Sequence, residues 1–454
     1  MSGLSLQENR SLPLSDSQLT LRIVRLALPA IAEMVLNMLT WLVDTAMVGR
    51  LGAAELSAVG LSCQLIYMLV FFLGALGIAT TAVVARRVGE GKTEEVPSLT
   101  GNALLASFVL GLAAVVALFW LAPQAFALAN MGRQVDALGT SYMRVFGWGP
   151  LFMIPTFVGN GALRGLGNTR TPMLISAVIA VVNIAGDYVL IYGHWGFPAL
   201  GAQGAAIAAL VAVSTGFCLM LWSLRQYVRL SLRHVLSISP PALRSLFSLS
   251  VPAGLEALSL DGSRTIMSLL VANLGPVSFA ALQVTTAGEA LSFMPGFGFA
   301  LATAVLVGQA LGQGDQALAL RTVKRATQLA VGVMCLIGLS FLFIPQRVVA
   351  LFSNEAEVIA IAARTLRVAF FAMPLMGITE TVAGALRGAG DTRGSFVNTS
   401  VGAWLVRVPF VYLATNVLGW GLTGVWVMVV LDWLVRSSLM LYRLWQGHWM
   451  RIRV

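Results

Sequence analysis

Charge is scarce in this chain: only 11% of its 454 residues are Asp, Glu, Lys or Arg, against roughly 25% in an ordinary soluble domain. That scarcity excludes a soluble globule. Histidine is almost absent. His194, His234 and His448 are far apart and none sits in an HExxH pattern, which argues against a zinc-dependent hydrolase. Cys63, Cys218 and Cys335 lie singly in apolar runs, too few for a disulfide framework and wrongly spaced for a metal, and they read as packing residues. The Gly-rich segments GALRGLGNTR and GALRGAGDTR lack the GK[ST] ending of a phosphate-cradling loop, which argues against ATP hydrolysis. With no nucleophile, metal or phosphate constellation, the expectation is a protein that is not an enzyme, has no cofactor and does not bind nucleic acid. The residues ahead of the first apolar run show no basic segment leading into a hydrophobic stretch and a cleavage site, so no cleaved signal peptide is expected.

What the chain has instead is apolar surface. Hydrophobic residues make up 58% of it, mean hydropathy is +0.84, and many apolar runs reach the roughly 20 residues a helix needs to cross a hydrocarbon layer about 30 Å thick. Apolar runs set against loop signals predict spans at 22–48, 55–85, 98–122, 135–163, 171–193, 201–224, 245–273, 278–310, 318–344, 357–386, 395–417 and 421–444. The predicted fold is all-α, a polytopic membrane protein of about 12 helices surrounded by the lipid bilayer.

An internal repeat organises these spans. GALRGLGNTR, Gly161 to Arg170, recurs 223 residues later as GALRGAGDTR, Gly384 to Arg393, with eight of ten positions identical. The same offset carries Pro29, Ala30 and Glu33 onto Pro252, Ala253 and Glu256, Arg144 onto Arg367, and Gly196 and Gly201 onto Gly419 and Gly424. Each copy holds six spans. An even number makes the two copies parallel repeats about an axis along the membrane normal, with the solute path between them. The expected organisation is a tail at 1–21, a first lobe at 22–224, a linker at 225–244, a second lobe at 245–444 and a tail at 445–454. Both Gly-rich copies read as tight turns between spans.

The formal net charge of +10 is laid out as a topology signal. Loops on the side of the termini carry 20 of the 29 basic residues, from Arg10, Arg22 and Arg25, through Arg86, Arg87, Arg164 and Arg387, to Arg443, Arg451 and Arg453. The opposite loops hold Arg50, Arg133 and Arg347. Basic loops stay inside, so both termini are expected in the cytoplasm of a multi-pass inner (plasma) membrane protein.

An ionisable side chain within a span costs about 2.5–3.5 kcal/mol on insertion scales, so each needs a partner, a wet cavity or a task. The acids inside predicted spans are Glu33, Asp44 and Asp187 in the first half, and Glu256, Asp261, Glu289, Glu380 and Asp432 in the second. The second half supplies Arg264, Arg407 and Arg436 at spacings that allow local pairing. As a basic partner the first half offers only Arg144, near the outer interface, so its three acids read as uncompensated, which points to an external cation, H⁺ or Na⁺. Glu33, Asn37, Thr40 and Asp44 are spaced 4, 3 and 4 and fall within about 60° on one helix face. Asn183 and Asp187 share a face of the fifth span. Together these six form the expected cation-coupling cavity; the bland alternative is a polar network that only holds helices together. A Na⁺ ion would sit on Asp44, Asn183 and Asp187, and no other metal site is expected. Pro29 either bends the first helix as a moving part or is simply tolerated in its first turn. Glu256, Asp261, Glu289 and Glu380 are candidates for the substrate cavity, with local pairing as the duller reading.

The first span, LALPAIAE and LVDTAMVGRLGAAELSAVGL, the fifth, VVNIAGDYVLIYG, followed by GFPALGAQGAAIA, and the preceding GALRGLGNTRTP together resemble the multidrug and toxic compound extrusion (MATE) family, with VDTAMVGRLG similar to its DinF-like branch. The resemblance spans nearly the whole chain. It implies a V-shaped pair of six-helix lobes and an antiporter that exports amphipathic, often cationic small molecules in exchange for H⁺ or Na⁺. By motif, Asp44, Asn183 and Asp187 fall at the family's first-lobe cation site and Pro29 at its first-helix bend. Another branch places acids on the seventh and tenth spans, where Glu256, Asp261 and Glu380 lie here without a positional match. A flippase for lipid-linked oligosaccharides or polyisoprenoids is the alternative, although a pyrophosphate cargo calls for a basic cavity where the first half offers acids. The default oligomeric state is a monomer.

Overall fold

The computed structural model describes residues 15–129 and 132–452; Arg10 and most of the expected amino-terminal tail, and Arg453, lie outside the described residues. The first half runs α1 (Asp16–Gly49), α2 (Ala53–Gly89), α3 (Val96–Ala129), α4 (Arg133–Phe146), α5 (Pro150–Gly165), α6 (Arg170–Tyr192) and α7 (Ala202–Tyr227). A short α8 (Leu232–Leu236) lies in the connector. The second half follows as α9 (Pro240–Ala272), α10 (Pro276–Gly312), α11 (Gln316–Phe343), α12 (Pro345–Val349), α13 (Ala356–Ala369), α14 (Ala372–Ala389), α15 (Thr392–Ser400), α16 (Val408–Tyr412) and α17 (Gly421–Trp445). A wider π turn at Val401–Arg407 joins α15 to α16, and a second at Leu413–Val417 continues the same helical rod beyond α16. Among the described residues there is no strand.

Element ends follow local chemistry. Ser15 caps α1 in a reciprocal box with Gln18, and Asp315 and Asp391 accept the amides of Leu318 and Gly394 at the starts of α11 and α15, each occupying an otherwise orphaned donor. Gly193 (φ 76°) and Gly390 (φ 91°) close α6 and α14 in the left-handed conformation that glycine tolerates best.

All twelve predicted spans coincide with helices. Among the described residues nine helices are long and apolar enough to cross a membrane, and α13 with α14, bent by 54°, makes a tenth. The other two fall short for a visible reason. α9 carries Arg244, Glu256, Asp261 and Arg264 along its length, and the fourth span is divided into a polar α4 and an apolar α5 at Gly147–Gly149.

The Gly-rich repeats are not merely turns. Residues 161–165 complete α5, and 384–389 complete α14. A Cβ at Gly161 would meet the Gly77 carbonyl of α2, and one at Gly384 the Ala300 carbonyl of α10. The two contacts are related by the same 223-residue offset. These glycines therefore let each half seat its central helix pair at backbone contact, the way small residues drive packing where lipid removes the hydrophobic advantage. α1 packs against both α6 of its own half and α10 of the other, and Arg321 of α11 holds Asp16 at 2.7 Å. Pro29 sits inside α1, which continues through it as one helix.

Candidate functional site

Asp44, Asn183 and Asp187 meet where α1 lies on α6. The Asn183 amide donates one N–H to Asp44 Oδ1 (2.7 Å) and the other to Asp187 Oδ2 (2.8 Å). Asp187 is 1% exposed and Asn183 5%, and Asp187 Oδ1 is buried with no hydrogen-bond partner among the described residues. Neither aspartate forms an ion pair among those residues. Tyr192 Oη bonds the Met47 carbonyl (3.0 Å) and pins α6 to α1 one turn beyond Asp44. A hydrogen-bond donor bridges two carboxylates, but no fixed positive charge balances them, so a small cation would satisfy both the charge and the orphaned oxygen.

Glu33 does not belong to this cluster. It is buried and paired with the Arg164 guanidinium at the end of α5, so the expectation that all three first-half acids are uncompensated is corrected. Helical phase placed Glu33 on the right face, but eleven residues at about 1.5 Å each put it some 16 Å along the axis from Asp44. Arg164, read as a loop residue, is 8% exposed in the last turn of a helix. Asn37 is exposed, and the Thr40 hydroxyl bonds its own helix at the Leu36 carbonyl (2.9 Å). Of the predicted stripe, only Asp44 reaches Asn183.

The second-half acids do not form one site either. Glu256 accepts from Ser395 (2.9 Å) and Thr399 (3.1 Å) and faces Arg387 at 3.6 Å; Glu380 faces the same guanidinium at 3.8 Å. Glu256–Arg387 is the repeat image of Glu33–Arg164, and both arginines line one cleft between the halves. Asp432 is fully buried between Arg407 (2.8 Å) and Arg436 (2.7 Å). Asp261 and Arg264 are exposed and, contrary to the expected local pairing, form no ion pair. Glu289 lines a separate cavity with Arg264 and Arg407.

The MatE family model matches residues 29–189 and again residues 252–413, one copy in each half. The chain belongs to the MatE family. A protein from Xanthomonas axonopodis pv. citri, named a probable multidrug resistance protein NorM, is 30% identical to this MatE chain over 422 residues, 91% of each. A Thermotoga maritima protein of the same name is 27% identical over 94% of this chain and 92% of its own. Among solved structures, an outward-facing MATE transporter superposes with a TM-score of 0.88 at 22% identity, covering 98% of this chain and 100% of that one. The Vibrio cholerae MATE transporter VcmN does so with 0.90 at 21%, covering 96% and 99%. These last two matches show the fold of this MatE chain, an all-α architecture.

Proposed function

We propose that this chain is a secondary active exporter that expels amphipathic, cationic small molecules across the inner membrane in exchange for H⁺ or Na⁺, with both termini in the cytoplasm and the lobe boundaries read from the repeat. The observation that carries the reading is the buried Asp44–Asn183–Asp187 cluster, whose negative charge has no fixed counter-ion and whose Asp187 Oδ1 has no partner among the described residues. The names of the NorM relatives support a drug-like cargo.

In the cycle that follows, the ion enters from outside and binds at Asp44 and Asp187, cancelling one of the pair's two negative charges. Asn183 then loses its hold on one carboxylate, and α1, which touches both halves, shifts against α6 and α10. Pro29 supplies the point of adjustment, because the helix lacks a backbone bond there. Substrate leaves outward and the halves rock inward. One charge moving down 100 mV supplies about 2.3 kcal/mol, enough for a roughly fiftyfold change in substrate affinity. Ionised carboxylates only accept hydrogen bonds, so Asn183 must turn its NH₂ toward both and its oxygen away. That orientation favours a proton over Na⁺, which would want the amide oxygen as a ligand. Transport in proteoliposomes with pH and sodium gradients imposed separately tests the reading. Export driven by the pH gradient is expected, and export indifferent to both gradients overturns the coupling.

A further inference from the structure

The connector between the halves carries positive charge and apolar surface that neither half covers. From Arg225 to Leu246 it has four arginines and no acid. Arg225, Arg229, Arg233 and Arg244 are all exposed, and none is in an ion pair among the described residues. The turn ahead of α3 does not offset them, because its acids Glu90, Glu94 and Glu95 are matched by Arg86, Arg87 and Lys92, which share four ion pairs with Glu90 and Glu95. Between the connector arginines stand Leu232, Leu236 and Ile238, each at least 63% exposed. Leu232 and Leu236 are one turn apart on α8 and share a face.

These side chains are held outward because the connector is clamped to α3. The buried Asn102 amide donates to the Ser237 carbonyl (3.0 Å) and accepts from the Ser239 amide (2.7 Å). Gly101 admits the His234 carbonyl so closely that a Cβ would collide with it. The clamp also sets the depth. With 34 residues, α3 is about 51 Å long, which leaves about 10 Å beyond each side of a hydrocarbon layer about 30 Å thick. Gly101 lies about 8 Å into the helix from Val96, so the connector rests at the headgroup boundary, where basic side chains meet phosphates and apolar ones reach acyl chains. We propose that this connector is an interfacial anchor for anionic phospholipids, with Arg229 and Arg233 on the phosphates and Leu232, Leu236 and Ile238 among the acyl chains. On the topology proposed above, the leaflet is the cytoplasmic one.

Native mass spectrometry of the purified full chain in detergent counts the lipids it retains. Phosphatidylglycerol and phosphatidylcholine with identical acyl chains are titrated in turn, and wild type is expected to bind its first phosphatidylglycerol more tightly. Each arginine at an anionic surface contributes about 1 kcal/mol, a factor of about five. Arg229→Gln with Arg233→Gln should therefore weaken that step about twenty-five-fold and leave phosphatidylcholine unchanged. Arg229→Lys with Arg233→Lys keeps the charge and should retain the lipid. Arg170→Gln with Arg393→Gln, which alters two exposed arginines on the same basic side but outside the connector, should leave the step nearly unchanged. In nanodiscs, hydrogen exchange across residues 229–238 should be slower in phosphatidylglycerol than in phosphatidylcholine, and Leu232→Ser with Leu236→Ser should shrink the difference. Equal affinity of wild type for the two lipids, which would leave the arginines to an acidic soluble partner, overturns the assignment. So does a loss as large in the Arg170→Gln, Arg393→Gln variant, or connector exchange that ignores the headgroup. Asp44→Asn should bind phosphatidylglycerol as wild type does, so failure of the coupling reading and failure of this one give different results.

Discussion

Breaking the two repeat-related ion pairs should cost the protein unequal amounts. In the first half, Arg164 is the one side chain that Glu33 bonds: Glu33 Oε1 takes the guanidinium, and Oε2 is buried without a hydrogen-bond partner among the described residues. Arg164→Gln therefore strands a carboxylate that is 3% exposed, and removing one member of a buried pair costs about 3–5 kcal/mol. In the second half, Glu256 keeps the Ser395 and Thr399 hydroxyls at 2.9 and 3.1 Å when Arg387 goes, and the arginine was no closer than 3.6 Å. Arg387→Gln also takes the cation from Glu380, but at 3.8 Å that contact too is longer than a hydrogen bond, so the variant should cost about 1–3 kcal/mol, the scale of leaving polar groups imperfectly satisfied. The order of apparent melting temperatures in detergent, followed by size-exclusion fluorescence, reads the difference: wild type highest, Arg387→Gln next, Arg164→Gln lowest. Adding Glu33→Gln to Arg164→Gln removes the stranded charge and should recover at least half the loss, a coupling that a double-mutant cycle isolates. Arg164→Gln as stable as Arg387→Gln, or no recovery in the double variant, would refute the argument.

Gly384→Leu drives a side chain into the Ala300 carbonyl of α10; backbone cannot yield as a side-chain tip can, so a loss of at least about 1–3 kcal/mol and a sharp drop in monodisperse protein on size exclusion are expected, whereas Gly332→Leu, with open space around it, should be tolerated. Asp391→Ala deletes both the cap on the Gly394 amide (3.1 Å) and the contact with Arg443 (2.8 Å), for a cost of about 1–2 kcal/mol visible in the melting temperature, and Arg443→Ala should cost less because the cap survives.

Much of this architecture is legible in the chain itself. Run length sets the spans, and the offset of the Gly-rich repeats sets the two copies, because both depend on periodicity along one strand of text. Asp44, Asn183 and Asp187 were found by phase, and they lie at matching heights on adjacent helices. Glu33 has the same phase as Asp44 and a different height, which a helical wheel does not encode. Arg164 was missed because a Gly-flanked arginine near NTR looks like a turn; the glycines instead serve the approach of α5 to α2 and bring that arginine into the interior. A signal for its pairing was present. Glu33 and Arg164 are 131 residues apart, and the repeat carries that pair onto Glu256 and Arg387 at the same separation, a coincidence that marks the two positions as partners.

Gradient-driven export by Asp44→Asn and Asp187→Asn in proteoliposomes, with substrate counterflow under no gradient as the control, tests the role of the aspartate cluster most directly. Both variants should fold and exchange substrate across the bilayer but lose concentrative export. Full-rate, gradient-driven export by either variant would mean that these carboxylates are a structural polar contact and that the mobile cation binds elsewhere.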